Sequence, residues 1–335
     1  MKTYLEASDI PTTPVGPIEL PRLIMGIHPY DGCSYVSADR DAENLRRFGT
    51  AASVAEVLRF AIEEMGLTTV QVDHMELPLD RLHLQAIWEA EQRTGVQLGL
   101  VAYLLVPIAL GGEDVTYSER AHATLYAVDH GCAGAAFDAK IRSDGIMRYL
   151  LGEDPSKLVT PETVPPFSPQ EAEGFTIDYR LLERYLGFFE GCEILVMDPG
   201  AEIDLLAMTG RFDLIREYLA YLRQQYDTVI TSVHHAGVTI PLLEEHGIEV
   251  DAYLTPVNRL GTAMYPTPEM ALDAIRQTRV PVLAIKPMAG GRTLGQQAFE
   301  YVYNEVGVDG CMFGMGTVEQ VRETATAARE VLGIG

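Results

Sequence analysis

Several absences bound what this chain can be. It has four cysteines in 335 residues, and Cys33, Cys132, Cys192 and Cys311 are far apart with no CxxC pair. That pattern excludes a disulfide scaffold and reads as reduced thiols of a cytoplasmic protein. No apolar run reaches bilayer-spanning length, and Met1–Glu6 lacks the basic-then-apolar order of a signal peptide. Positive charge is scarce: 25 Lys and Arg face 48 Asp and Glu, for a net charge of −23. A field of that sign repels nucleic acid and anionic membrane, so neither is an expected partner. A small molecule is the expected one, and a homo-oligomer stays open. Only one tryptophan is present, Trp88; it shares a helical apolar face with Leu84 and Ile87, which predicts packing between helices and core.

What is present is rhythm. Val280 to Thr317 reads as two short apolar strands separated by a helix, each strand running into a Gly-rich turn (KPMAGGR, then GMGT). Upstream, RLIMGIH (22–28), TTVQVDH (68–74), VQLGLVAYL (96–104), GAAFDAK (134–140), DTVITSVHH (227–235) and IEVDAYLTPVN (248–258) alternate with helical periodicities. Eightfold βα alternation predicts an α/β fold, a (β/α)8 TIM barrel over residues 1–335 as one domain. Residues 1–22 form an N-terminal hairpin cap in this reading. Residues 141–200 form an insertion or lid after the fourth strand, with a proline-rich loop at 151–174. EILVMDPG (193–200), a ninth strand candidate, is assigned to that insertion. Thr317 and Gln320 have the spacing of a capping box at the start of the last helix.

The segments YLTPVNRLG, LAIKPMAGGRT and MFGMGTVEQVRETATAA resemble the C-terminal half of the aldo-keto reductase superfamily. The match is nearest to divergent branches whose seventh strand ends in a lysine–proline pair and a double glycine. ELPRLIMGIH is similar to the superfamily's opening hairpin and first strand, and VITSVHHAG resembles its fifth strand through Ser232 and His234. The resemblance implies a barrel that transfers hydride with NADP(H), using an aspartate on the second strand, a tyrosine five residues later, a lysine on the third strand and a histidine on the fourth. Asp73 matches the aspartate. Pro78 stands at the tyrosine's place, GLVAYLL carries no lysine and GAAFDAK no histidine.

Catalytic groups of such barrels lie at the C-terminal ends of strands. Here those positions hold His28, Asp73, His74, Glu76, Asp138, Lys140, Asp198, His234, His235, Asn258 and Lys286. His28, Asp73, His234 and His235 suit a divalent transition metal (zinc, manganese, iron or nickel), because imidazole and carboxylate are its donors. Without metal, Asp73, His74, His234 and His235 suit acid–base work, with Lys286 polarising a carbonyl or forming a Schiff base and Lys140 as a further basic catalytic candidate. Neighbours on a strand face opposite ways, so one member of each doublet turns inward, and the spacing does not say which. Gly290, Gly291, Arg292, Gly316 and Thr317 would grip an anionic group through backbone N–H groups and a helix N-terminus.

Because the superfamily's acid is missing, the leading expectation is non-redox acid–base or metal-assisted chemistry, of lyase, isomerase or hydrolase type. Its substrate would be a small polar carbonyl or sugar-like compound, phosphorylated or not. The alternative is an NADP(H)-dependent oxidoreductase with a rearranged proton donor, for which Tyr30, Tyr103 or a histidine would serve. A catalytically inactive barrel used for binding is the third reading.

Overall fold

The computed structural model describes residues 1–75 and 79–334; the expectations for Glu76 and Pro78 lie outside them. Eight parallel strands make one sheet: β1 (Leu23–Gly26), β2 (Thr69–His74), β3 (Gly99–Leu104), β4 (Ile194–Pro199), β5 (Thr231–Ser232), β6 (Tyr253–Pro256), β7 (Val282–Ile285) and β8 (Gly310–Gly314). β8 pairs with β1. A bridge between Met197 and Val229 joins β4 to the chain entering β5 and closes the barrel.

Strand alternation sorts the residues into two cores. Val70, Val72, Leu100, Ala102 and Met197 face the surrounding helices, while Ile24, Val101, Val196, Ile230, Leu254, Leu283 and Met312 fill the barrel. The antiparallel hairpin Thr12–Val15/Ile18–Pro21 precedes β1, as the proline- and glycine-rich start predicts. Its Val15 and Leu20, fully buried, pack into the barrel core and plug the N-terminal end. Truncating such a plug leaves a cavity, so Leu20→Ala is expected to cost about 2–5 kcal/mol by urea unfolding. An unchanged midpoint would mean the hairpin does not seal the barrel.

Local signals hold where the chain is regular. The helix Ala51–Met65 is capped by the Thr50 side chain and ends at Gly66, whose φ of 65° suits glycine. The Thr317/Gln320 capping box opens the helix Val318–Val331. No helix among the described residues is long and apolar enough to cross a membrane.

The fourth strand is where the expectation fails. AAFDAK of that segment opens the helix Ala135–Ser143, with Gly134 at its N-cap, and ILVMDP of EILVMDPG supplies β4. Phe137 and Ile141, one helical turn apart, both bury against Tyr126 and Ile146. Alanine and lysine favour helix over strand, so the short apolar run GAAF takes the helical period and not the strand period that its length alone suggests. The irregular segment therefore lies between β3 and β4, not after the fourth strand. It contains the helices Glu119–Ala133, Ala135–Ser143 and Gly145–Leu150, and a small antiparallel sheet joining Ile108–Leu110, Glu113–Asp114 and Phe175–Ile177. Trp88 is a second correction: it is 43% exposed, on the outer side of its helix.

Candidate active site

Asp73 on β2, Tyr103 on β3 and Asp198 on β4 are register partners on adjacent strands, so their side chains form one row facing into the barrel. They stand above the apolar layer of Val101 and Val196. Asp73 is 4% exposed; one carboxyl oxygen accepts from Gln71 Nε2 at 2.7 Å, and Oδ2 has no partner among the described residues. Burial pushes its pKa up to about 7, against the pull of His28. Asp198 accepts from the Ser232 amide (2.8 Å) and hydroxyl (2.6 Å), yet burial still lifts its pKa to about 8.

His234 and Lys286 come from the other side of the ring, after β5 and β7. Lys286 Nζ lies 3.3 Å from His234 Nε2 and 5.3 Å from the Tyr35 ring centre. Burial lowers the lysine to about 8, while the charges of Cys33, Asp144 and Asp73 work the other way. Burial also keeps His234 well below the usual imidazole range, helped by Lys286, so the ring is neutral and its Nε2 accepts from the ammonium. Lys286 and Tyr35 both adopt φ of 56°, the left-handed region that non-glycine residues seldom occupy. Such backbone costs energy and collects at functional sites. His28 completes the ring from β1: its Nδ1 meets Asp31 Oδ2 at 3.0 Å and its ring lies edge-on to Tyr35 at 5.6 Å. Burial opposes its charge, but Asp31 prevails and raises its pKa.

Each doublet now resolves. Asp73 turns inward, whereas His74 stacks on Phe188 at 4.5 Å and meets Asp80 at 3.2 Å, outside the barrel. His234 turns toward Lys286, whereas His235 pairs with Asp129 at 2.6 Å. A catalytic role for His74 or His235 is thus withdrawn in favour of packing and clamping. Lys140 is not at a strand end; it sits on a helix and pairs with buried Asp144. The proposed metal set of His28, Asp73, His234 and His235 does not assemble, and no group of three metal-ligating side chains occurs among the described residues. The physical reason is that His235 turns away to Asp129 and His234 Nε2 faces the Lys286 ammonium. Tyr30 is withdrawn as a proton donor because it is buried against Phe48 and His83, away from the ring.

Gly290 and Gly291 occupy left-handed backbone after β7. A Cβ on Gly290 would lie 2.8 Å from Tyr35 Cβ, and one on Gly316 would lie 2.1 Å from Gln320 Oε1. Arg292 donates to the Ala289 and Gly145 carbonyls, both at 2.9 Å, and is itself exposed. Thr317 and Gln320 cap each other. Arg47 and Arg322 lie close enough to Glu319 to help lower its carboxyl, after its own amide and Thr317. Basic groups therefore gather at this helix N-terminus in an otherwise acidic chain.

Comparison with solved structures matches this architecture over the whole chain. Two structures described as an aldo-keto reductase from Pseudomonas aeruginosa align at 14% identity. One covers 96% of this chain and 95% of its own with a TM-score of 0.52, the other 97% and 96% with 0.53. The barrel is built as theirs are. No family model matches the chain, and no curated protein matches it by sequence. The expectation of a lyase, isomerase or hydrolase is corrected here: the full-length structural neighbours are described as reductases, and the metal set on which it leaned is not assembled.

Loops carry Cys33, Tyr35 and Glu202 to the ring: in the sequence Cys33 marks only a reduced thiol and Tyr35 a packing residue, and Glu202 carries no signal. Asp198 left a signal: Val196 and Asp198 continue strand alternation in EILVMDPG, so the aspartate faces inward rather than only ending a turn.

Proposed function

We propose that this protein is an NADP(H)-dependent oxidoreductase of small carbonyl compounds in which Lys286 replaces the tyrosine–lysine acid. The observation that carries this reading is the Lys286–His234 contact beside Asp73, a proton donor delivered from β7 instead of β2 and β3. The residues present fit the cofactor: crowded Gly290 and Gly316, the N-terminus of a fourteen-residue helix, and nearby Arg47, Arg292 and Arg322 suit phosphates. When bound, NADP(H) supplies or accepts a hydride at carbon.

The protein's own part is proton handling. Lys286, charged below about pH 8, gives a proton from Nζ to the carbonyl oxygen as carbon is reduced, and solvent restores it. Neutral His234 accepts from Nζ through Nε2 and holds the ammonium in place. Asp73 favours the charged amine electrostatically. In reverse, neutral Lys286 takes the proton from an alcohol.

Titration with NADPH followed by nicotinamide fluorescence tests the reading; saturable binding that weakens with salt is expected. Gly316→Ala should weaken it, because the added methyl displaces the Gln320 side chain. No NADPH binding, and no consumption of NADPH with any of a panel of aldehydes and ketones, would overturn the proposal.

A further inference from the structure

Three carboxyls crowd the β2–β4 side of the barrel mouth. Asp73 and Asp198 belong to the inward row, and Glu202 follows β4. The Glu202 carboxylate and the Tyr103 hydroxyl meet at Gly200, where an added Cβ would lie 2.3 Å from Glu202 Oε2 and 2.9 Å from Tyr103 Oη. The Tyr103 and Tyr117 hydroxyls are 3.5 Å apart, and Tyr117 is 52% exposed at the rim. All three acids are at most 4% exposed, and none forms an ion pair with Lys or Arg among the described residues.

Buried carboxylates normally find a cation or fill their lone pairs. Asp73 Oδ2 is buried, faces the ring and accepts nothing. Glu202 Oε2 accepts from the Val106 amide at 2.9 Å, and the Tyr117 hydroxyl donates to the same carboxyl and helps lower it against burial. Acceptors outnumber donors on this wall. Two tyrosine rings, Tyr103 in the row and Tyr117 at the rim, adjoin the wall, and aromatic faces attract cations; the chain's net charge of −23 favours a cationic ligand over an anionic one.

We infer that this wall binds a protonated amine, so that the preferred substrate is a carbonyl compound carrying an ammonium group on a short aliphatic chain. The inference rests on the carbonyl-reducing reading only for the substrate's other end, at Lys286. The ammonium group supplies the donor that Asp73 Oδ2 lacks, and its charge offsets the acids that raise Asp198. Burial holds Asp73 and Glu202 at pKa values of about 7, and burial with the charges of Asp73 and Glu202 holds Asp198 at about 8. An arriving cation therefore drives protons off them.

Calorimetric titration of the full chain with n-pentylammonium and with n-pentanol tests this without cofactor or turnover. The ammonium probe is expected to bind at least about tenfold more tightly than the alcohol and to release protons, seen as a buffer-dependent enthalpy. Glu202→Gln and Asp198→Asn should each erase most of that preference. Equal binding of the two probes, or a preference untouched by both substitutions, would overturn the inference. NADPH-dependent reduction of neutral carbonyls with no preference for their amino analogues would overturn it while leaving the oxidoreductase reading intact. Pentylammonium binding without NADPH binding would do the reverse.

Discussion

Lys286→Met is expected to lower kcat/KM for NADPH-dependent carbonyl reduction by about 10²–10⁴, the usual contribution of a positioned proton donor. The side chain is similar in length and the left-handed backbone is already strained with lysine there, so the fold should persist. The wild-type pH profile supplies the sharper reading. Lys286 titrates at about 8, and its acid form does the work in reduction. Reduction should therefore be level below that pH and fall above it, while oxidation of the alcohol rises through the same range. In Lys286→Met this limb should vanish. Lys286→Arg should not rescue activity, because a guanidinium holds its proton too tightly to give it up. Parent-like kcat/KM in the methionine variant would remove Lys286 from the chemistry.

Asp129→Asn is expected to cost about 3 kcal/mol of stability near neutral pH and almost nothing in strong base. Burial works against a charged His235, but the charge and hydrogen bond of Asp129 overcome it and raise its pKa from 6.5 to about 9. Both groups are well buried, with 14% and 0% of their side chains exposed, so screening removes little of the effect. A histidine with a raised folded-state pKa stabilises fully below its unfolded value and loses that contribution as pH rises through the folded one. The pair should thus hold the fold below about pH 6.5 and cease to do so above about pH 9. Urea unfolding of parent and variant at both extremes measures this. An equal penalty at both would show that Asp129 acts through packing. Because Asp204 also accepts from the His234 amide at 2.8 Å, this corner positions His234, and the variant should lose some activity as well.

The barrel was legible because its signals are local. Apolar strands, helical periodicity, Gly66 and the Thr317/Gln320 box each depend on residues a few positions apart. Asp73, His28, His234 and Lys286 were legible as candidates because strand ends in this fold open on one mouth. GAAFDAK and EILVMDPG were exchanged because a short apolar run carries too few residues to distinguish a period of two from one of 3.6.

Residue order alone determined an acidic α/β barrel with an N-terminal hairpin cap and ionisable groups at its rim. Tertiary structure alone decided which of those groups share a space. His74 went to Phe188 and His235 to Asp129, while Lys286 reached His234 across 52 positions. A strand fixes the alternation of its own side chains, but which sites become adjacent depends on closure between β4 and β5 and on where the loops return. Those are long-range contacts, and the free energy that selects them is spread over the whole core.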